Sequence, residues 1–287
     1  MLTAIKQFIG MFFLVILVAG TPLMLFTANE EVQFEPDGMI SHTVYLLEML
    51  ADGTLGTYWV GVSERSIAAD ILPFTLESFN LLFSSVFLAV IFSLAFGIFL
   101  QRYRFVRYVH RLLDVLSTIP DFILILFSIV LAVGFYKLTD IRIITLSPTS
   151  DSANSWFPIL VLMLGPTIYL LRVVSMKYVQ VCGDDYIATA VAKGMNVRHV
   201  QLHHVYKNIK PYFMADLKKA VAITVANLFI VEYSLNVVGL TRFIFTRSDY
   251  QFNAVVIGLF GVILLSIAVY LLISAILYLF ERTFIYR

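Results

Sequence analysis

The sequence predicts an all-α integral membrane protein that crosses the bilayer about six times. Of its 287 residues, 60% are hydrophobic and only 14% charged, and the mean hydropathy is +0.89. A soluble domain keeps charged residues near about a quarter of its length, and could not bury this much apolar side chain. The second observation is periodic. Apolar runs long enough to cross a hydrocarbon layer about 30 Å thick, roughly 20 residues each, cover Phe8 to Phe26, Phe79 to Leu100, Leu112 to Tyr136, Trp156 to Val174, Phe213 to Val237 and Ala254 to Phe280.

The first run follows Lys6 and continues past Gly20 and Pro22 to Phe26 without a small-x-small cleavage site. It reads as an uncleaved anchor helix occupying residues 1–26. Residues 27–77 carry Glu30, Glu31, Glu35, Asp37, Glu48, Asp52, Glu64, Asp70 and Glu77 against Arg65 alone, a balance suited to the outer side. Gly38, Gly53, Gly56 and Gly61 with Pro36 and Pro73 make this segment read as a small folded cap or a re-entrant stretch, since so long a connection is rarely a plain turn. The other five runs form a core over residues 78–280, followed by a short tail, 281–287.

Orientation follows from the basic loops. Gln101 to Arg111 holds Arg102, Arg104, Arg107 and Arg111 and no acid, so it is expected in the cytoplasm. Residues 176–212 hold Lys177, Lys193, Arg198, Lys207 and Lys210 an even number of crossings away. Both termini are then cytoplasmic, which Lys6, Arg282 and Arg287 permit.

Within that inner loop, Asp184 to Lys193 reads as a short helix. Asp184 and Asp185 suit the positive end of its dipole, and Gly194 suits its C-terminal stop. A second short helix is expected from about Val197 to Ile209, ended by Pro211. The two make a compact knob. The single cysteine, Cys182, excludes an internal disulfide or a Cys-based zinc site, and reads as a small apolar filler.

Catalytic motifs are missing from the sequence. It has no Gly-x-x-x-x-Gly-Lys-Ser/Thr loop, no His-Glu-x-x-His helix and no Gly-x-Ser-x-Gly elbow, so no catalytic, cofactor-binding or metal-binding residues are assigned. His199 and His203 share one helix face beside His204, but no acid or cysteine on that short helix completes a metal site. They read as solvated or partner-facing. Asp121 and Glu232 lie inside apolar runs, where a carboxylate costs on the order of 3 kcal/mol to insert. Pro120 is expected to bend the third span beside Asp121 and free carbonyls there. Asp121 either lines a polar passage or fixes helix contacts, and Glu232, with Asn227 five residues earlier and Tyr233 beside it, carries the same two readings. Pro120, Asp121, Asn227 and Glu232 are the candidate pathway residues.

The knob carries a family resemblance. Asp185-Tyr186-Ile187-Ala188-Thr189-Ala190-Val191-Ala192-Lys193-Gly194 resembles the D-Y-x-x-T-A-x-A-K-G signature of dipeptide and oligopeptide ABC importer permeases, the peptide form of the EAA loop. Ala188-Thr189-Ala190 stand where the general pattern has Glu-Ala-Ala, and Gly194 is its glycine. His204-Val205-Tyr206-Lys207-Asn208 is similar to H-A-L-R-N, and Ile209-Lys210-Pro211 to a closing I-x-L-P without the leucine. Elsewhere, Asp52 to Tyr58 resembles G-D-L-G-x-S, Leu72 to Glu77 resembles L-P-x-T-L-E, and Ser117 to Phe122 resembles S-I-P-x-F. Glu232 with Val238-Gly239-Leu240, then Asp249-Tyr250, resembles E-x-x-F-x-x-P-G-L-G followed by R-D-Y-P, with Val238, Thr241 and Gln251 replacing proline, glycine and proline.

The resemblance implies the type I ABC importer permease fold in the inner or plasma membrane of a prokaryote. It implies a subunit that forms half of a pathway for peptides or a related solute, nickel and metal-opine complexes included. The implied partners are a second permease subunit, two cytoplasmic ATPase subunits that bind Mg-ATP, an external solute-binding protein and membrane lipid. No nucleic acid and no directly bound cofactor is implied. Asp185, Tyr186, Ala188, Thr189, Ala190, Ala192, Lys193, Gly194, His204, Asn208 and Pro211 map to the ATPase-coupling loop. The alternatives are a stand-alone secondary transporter with an ion site near Asp121, and an intramembrane enzyme, for which no reactive set of side chains is visible.

Overall fold

The computed structural model describes residues 2–28, 31–34, 36–141, 156–245 and 250–284. Glu30, Glu35, Asp249 and Arg287 lie outside the described residues. The chain is mostly helical and divides into two compact units, residues 1–78 with 238–265 and residues 79–237 with 266–287.

The first unit opens with α1 (Leu2–Met24) and α2 (Asp37–Ala51). Pro22 falls in the last turn of α1, where it cannot donate to the carbonyl four residues back, and the helix ends two residues later at Met24. Gly20 lets the two helices approach, since a Cβ there would lie 2.3 Å from Met39 Cγ. Val15, Ile16 and Ala19 of α1 form the core with Leu46 and Met49 of α2 and with Phe252 and Val256 of the last helix, at helical spacings of three and four. Two antiparallel hairpins complete it. In the first, β1 (Leu25–Ala28) pairs with β2 (Glu31–Phe34), Leu25 opposite Phe34. In the second, β3 (Thr57–Val60) pairs with β4 (Ser63–Ser66), Val60 opposite Ser63, so Gly61 and Val62 make a two-residue turn with Gly61 at φ +62°.

The all-α expectation omitted these hairpins, because strands of four residues are too short to show an alternating pattern. Their anchors are long-range. Tyr58 is buried, its hydroxyl donating to Asp70 Oδ2 at 2.5 Å, while Arg65 Nε pairs with the same oxygen at 2.8 Å. The Gln251 amide accepts from the Trp59 N–H and donates to the Trp59 carbonyl, both at 2.8 Å. Within this unit a short helix, Leu240–Phe245, starts with its Leu240 N–H donating to Ser78 Oγ at 2.6 Å.

In chain order the helices continue as α3 (Ile67–Leu94), extended by a π-helical turn over Ala95–Phe99, then α4 (Arg104–Leu116) and α5 (Asp121–Thr139). Next come α6 (Trp156–Leu162), α7 (Leu164–Cys182), α8 (Asp185–Ala192) and α9 (Val197–His199). A second π-helical stretch, Val200–Tyr206, leads into α10 (Lys207–Ser234), and the series ends with α11 (Leu240–Phe245) and α12 (Phe252–Phe284). In the second unit the broadest helix contact is between α7 and α10. Gly97 admits α7 closely, a Cβ there meeting Val174 Cγ1 at 2.5 Å. The Ile98 carbonyl, in the π turn, is met by buried Gln201 Nε2 at 3.1 Å. Lys210 of α10 forms an ion pair with buried Glu281 of α12.

Three helices among the described residues are long and apolar enough to cross a membrane: Ile67–Phe99, Asp121–Thr139 and Phe252–Thr283. The pair α6 and α7, bent by 43° at Met163, passes the same test only when taken together, as a broken span or a re-entrant loop, and Ile9–Met24 is a shorter apolar helix. In α10 the exposed Lys218 and Lys219 and the half-buried Asp216 interrupt the apolar surface.

Two helix boundaries and one side chain differ from the sequence expectation. The run from Leu112 to Tyr136 is two helices separated at Ser117–Pro120, not one bent helix. Pro120 stands in extended backbone (ψ 138°) as the residue before α5. A proline disfavours α geometry in the residue ahead of it. The hydroxyls of Ser117 and Thr118 then donate to the Asp114 and Val115 carbonyls at 2.7 Å each, which closes α4. Pro211 does not end its helix, for α10 runs through it to Ser234. The ladder immediately upstream is widened to π geometry over Val200–Tyr206, and Pro211 stands in the first turn and a half of α10. Cys182, finally, is exposed at the end of α7 rather than filling apolar space.

Candidate functional site

The knob between α7 and α10 is built from local rules. Asp184 opens α8 in extended backbone and Asp185 occupies its first turn, where the helix dipole favours a carboxylate. At the other end Gly194 takes φ +76°. Its N–H donates to the Val191 carbonyl at 2.9 Å and the Met195 N–H to the Ala190 carbonyl at 3.3 Å, the two bonds of a Schellman ending. Asn196 then caps the next turn, its side chain accepting from the Arg198 N–H at 3.0 Å. Ile187 and Ala190 are buried, and α8 packs on residues 200–206 through them.

The outer surface of the knob is apolar and shallow. Tyr186, Val191, Met195 and Val197 are exposed, Val191 at 61%, beside the exposed Ala188, Thr189, Ala192 and Lys193. Of the residues mapped from the sequence, Ala190 is therefore core, whereas its neighbours face outward. His204 lies behind Tyr186 with ring centroids 6.4 Å apart, and Asn208 Nδ2 donates to the His204 carbonyl at 2.6 Å. His199 stacks on His203 at 4.2 Å. Partial burial, then the charges of His199, His204 and Lys207, holds the His203 imidazole below its usual range. Among the described residues no group of three His, Cys, Asp or Glu side chains converges on a metal position.

The candidate pathway residues separate. Asn227 of α10 donates to Asp121 Oδ2 at 3.1 Å, across the start of α5. Gly165 of α7 makes room for that pair, since a Cβ there would lie 2.9 Å from Asp121 Oδ2 and 3.1 Å from Asn227 Nδ2. Glu232 is fully buried further along α10, and Pro120 is exposed at the helix break. Nearer the knob, the Tyr169 hydroxyl donates to Asp216, and Lys219 Nζ lies 4.8 Å from the centroid of the Tyr169 ring. Lys177 sits 4.0 Å over the Tyr212 ring. A ladder of polar contacts thus follows the α7–α10 seam. The sequence reading missed Gly165, Tyr169, Asp216 and Lys219, although the insertion cost that singled out Asp121 applies equally to Asp216.

Residues 89–286 match the family described as the binding-protein-dependent transport system inner membrane component. The chain belongs to this family. It is an ABC importer permease, as the loop motif implied. The dipeptide transport system permease protein DppB of Bacillus subtilis (strain 168) is 26% identical to this permease over 184 residues, which cover 63% of the chain and 58% of that relative. The peptide transport system permease protein SapB of Haemophilus influenzae is 23% identical over 262 residues, covering 77% of this permease and 79% of SapB.

Proposed function

We propose that this permease forms half of the translocation pathway of an ATP-driven importer for peptides or a related small solute, nickel and metal-opine complexes included. Its crossings are α1, α3, the α4–α5 run, the bent α6–α7 pair, α10 and α12, with both termini in the cytoplasm and residues 27–77 outside. A second permease subunit completes the pathway, two ATPases supply Mg-ATP hydrolysis, and an external binding protein delivers solute. The observation that carries the reading is the knob. A Schellman turn at Gly194 ends a short helix that leaves Tyr186, Val191 and Met195 uncovered, the surface a partner groove needs.

ATP-driven closure of the partners moves two such knobs together and tilts the spans from inward-open to outward-open. The α7–α10 ladder lies on the helices that bear the knob, so the same rigid movement reaches Asp216, Asp121 and Asn227. The test is purification of the tagged chain from its native host in mild detergent, then reconstitution. The expected result is recovery of a second permease and of ATPase subunits, with ATP-dependent uptake of short peptides. Purification of an isolated chain that transports solute without ATP overturns the proposal.

A further inference from the structure

Helix α4 presents three distinct sectors. Taking 100° per residue, Val106, Val109 and Leu113 share the inward side, and Val106 is 1% exposed. Phe105, Tyr108, Leu112 and Val115 form a second, exposed apolar stripe, with Tyr108 at 69%. Arg104, Arg107 and Arg111 form a third, exposed basic stripe beside it. Bundle helices normally show one apolar face and one polar face. An uncovered apolar stripe flanked by guanidinium groups is the pattern of a helix at a lipid headgroup boundary.

The start of the helix adds a concavity of about 370 Å³, lined by Arg102, Tyr103, Arg104, Arg107 and His110 among others, with no acid in its wall. Among the described residues no carboxylate forms an ion pair with these arginines, and the nearest acid in sequence, Asp114, lies beyond the lining. Arg102 lies 4.8 Å over the Tyr103 ring, which aims an amphipathic side chain along an aromatic surface. The helix also climbs. His110 Nε2 is 3.4 Å from Ser175 Oγ near the knob end of α7, whereas Asp121, after α4, abuts Gly165 at its far end. The basic concavity is therefore at the knob end, and the apolar stripe rises from it.

We propose that this element is a binding site for one anionic phospholipid, its phosphate seated in the Arg102–Arg104–Arg107 concavity and its acyl chain along Phe105, Tyr108, Leu112 and Val115. Charge complementarity selects the occupant: four arginines and no acid between Gln101 and Arg111 match the anionic inner leaflet. The inference rests on membrane residence and on the proposed orientation that puts the knob on the cytoplasmic side, not on the identity of the transported solute.

Two measurements on the full chain test it. In bilayers of equal phosphatidylcholine and phosphatidylglycerol, native mass spectrometry is expected to show phosphatidylglycerol retained on the wild type. The variant Arg102→Gln/Arg104→Gln/Arg107→Gln is expected to retain it about tenfold less or weaker still. Lys193→Gln/Arg198→Gln, which removes charge from the knob instead, is expected to retain it fully. Equal retention by both variants overturns the site, and displacement by excess inorganic phosphate assigns the concavity to a soluble anion, which also overturns it. The second measurement keeps the arginine lining intact: in a Cys182→Ser background, spin labels at Tyr108→Cys, Leu112→Cys and Val115→Cys are expected to favour oxygen over a nickel chelate, increasingly toward residue 115. An Arg111→Cys label is expected to favour the chelate. Chelate access at all four positions places the stripe in water, and shielding of the first three from both reagents places a protein on it; either result sinks the proposal.

Discussion

Gly194 is the residue where local conformation and proposed function meet most directly. Its φ of +76° lies in the left-handed region, yet no atom lies within 4 Å of where a Cβ would be built. Substitution is therefore a matter of backbone strain, not collision, roughly 1–2 kcal/mol for an ordinary residue and less for Asn. Gly194→Leu is expected to insert normally and lose most ATP-dependent uptake, while Gly194→Asn keeps a substantial part of it. Uptake by the Leu variant equal to wild type would show that the turn does not set the knob's geometry. The glycine's stop was legible in the sequence, because it follows a short helix with acids at its start, whereas the Asn196 cap beyond it was not read. Asp121 and Asn227 were legible singly, as costly polar groups in apolar runs. Their meeting was not, since 106 residues separate them and only the folded α5, α7 and α10 bring Gly165 alongside.

At the scale of elements, helix existence was read well and helix ends less well. Every apolar run contains a helix, but the first ends in β1, and the ends at Pro120 and Pro211 depended on what lies next to each proline: hydroxyl-capped carbonyls at the first, a π-helical stretch at the second. The four-residue hairpins carried no periodic signal at all. The joint between α10 and α12 depends on Lys210 and Glu281, whose side chains are 24% and 6% exposed. Removing one member of a buried pair strands the other charge, at about 3 kcal/mol here, toward the low end because the lysine is partly wet. Glu281→Gln is expected to lower the thermal unfolding midpoint in detergent clearly. Lys210→Met/Glu281→Leu, which removes both charges, is expected to return to within about 1 kcal/mol of wild type. If the double variant is as unstable as the single one, the pair acts through shape and not through charge.

At the scale of the whole molecule, the proposed coupling requires mechanical work to pass from the knob to the spans. The connection within the second unit runs through few polar contacts. Gln201, at the root of the knob, donates to the Ile98 carbonyl where the π turn after α3 has disturbed the helix ladder. Both groups are buried, so the bond ties the knob to that helix as well as to α7 and α10. Leaving the carbonyl unmet costs about 1–3 kcal/mol, small against helix burial but comparable to the coupling energies, typically about 1–3 kcal/mol, that link distant sites. Gln201→Leu is accordingly expected to fold and to bind the ATPases, yet to move less solute per ATP hydrolysed. Gln201→Glu, which keeps the shape but offers no amide donor, is expected to behave like Leu. The measurement is the ratio of uptake to hydrolysis in proteoliposomes. An unchanged ratio in both variants would mean that α7 and α10 alone carry the movement, and that the Gln201 bond only satisfies a buried carbonyl.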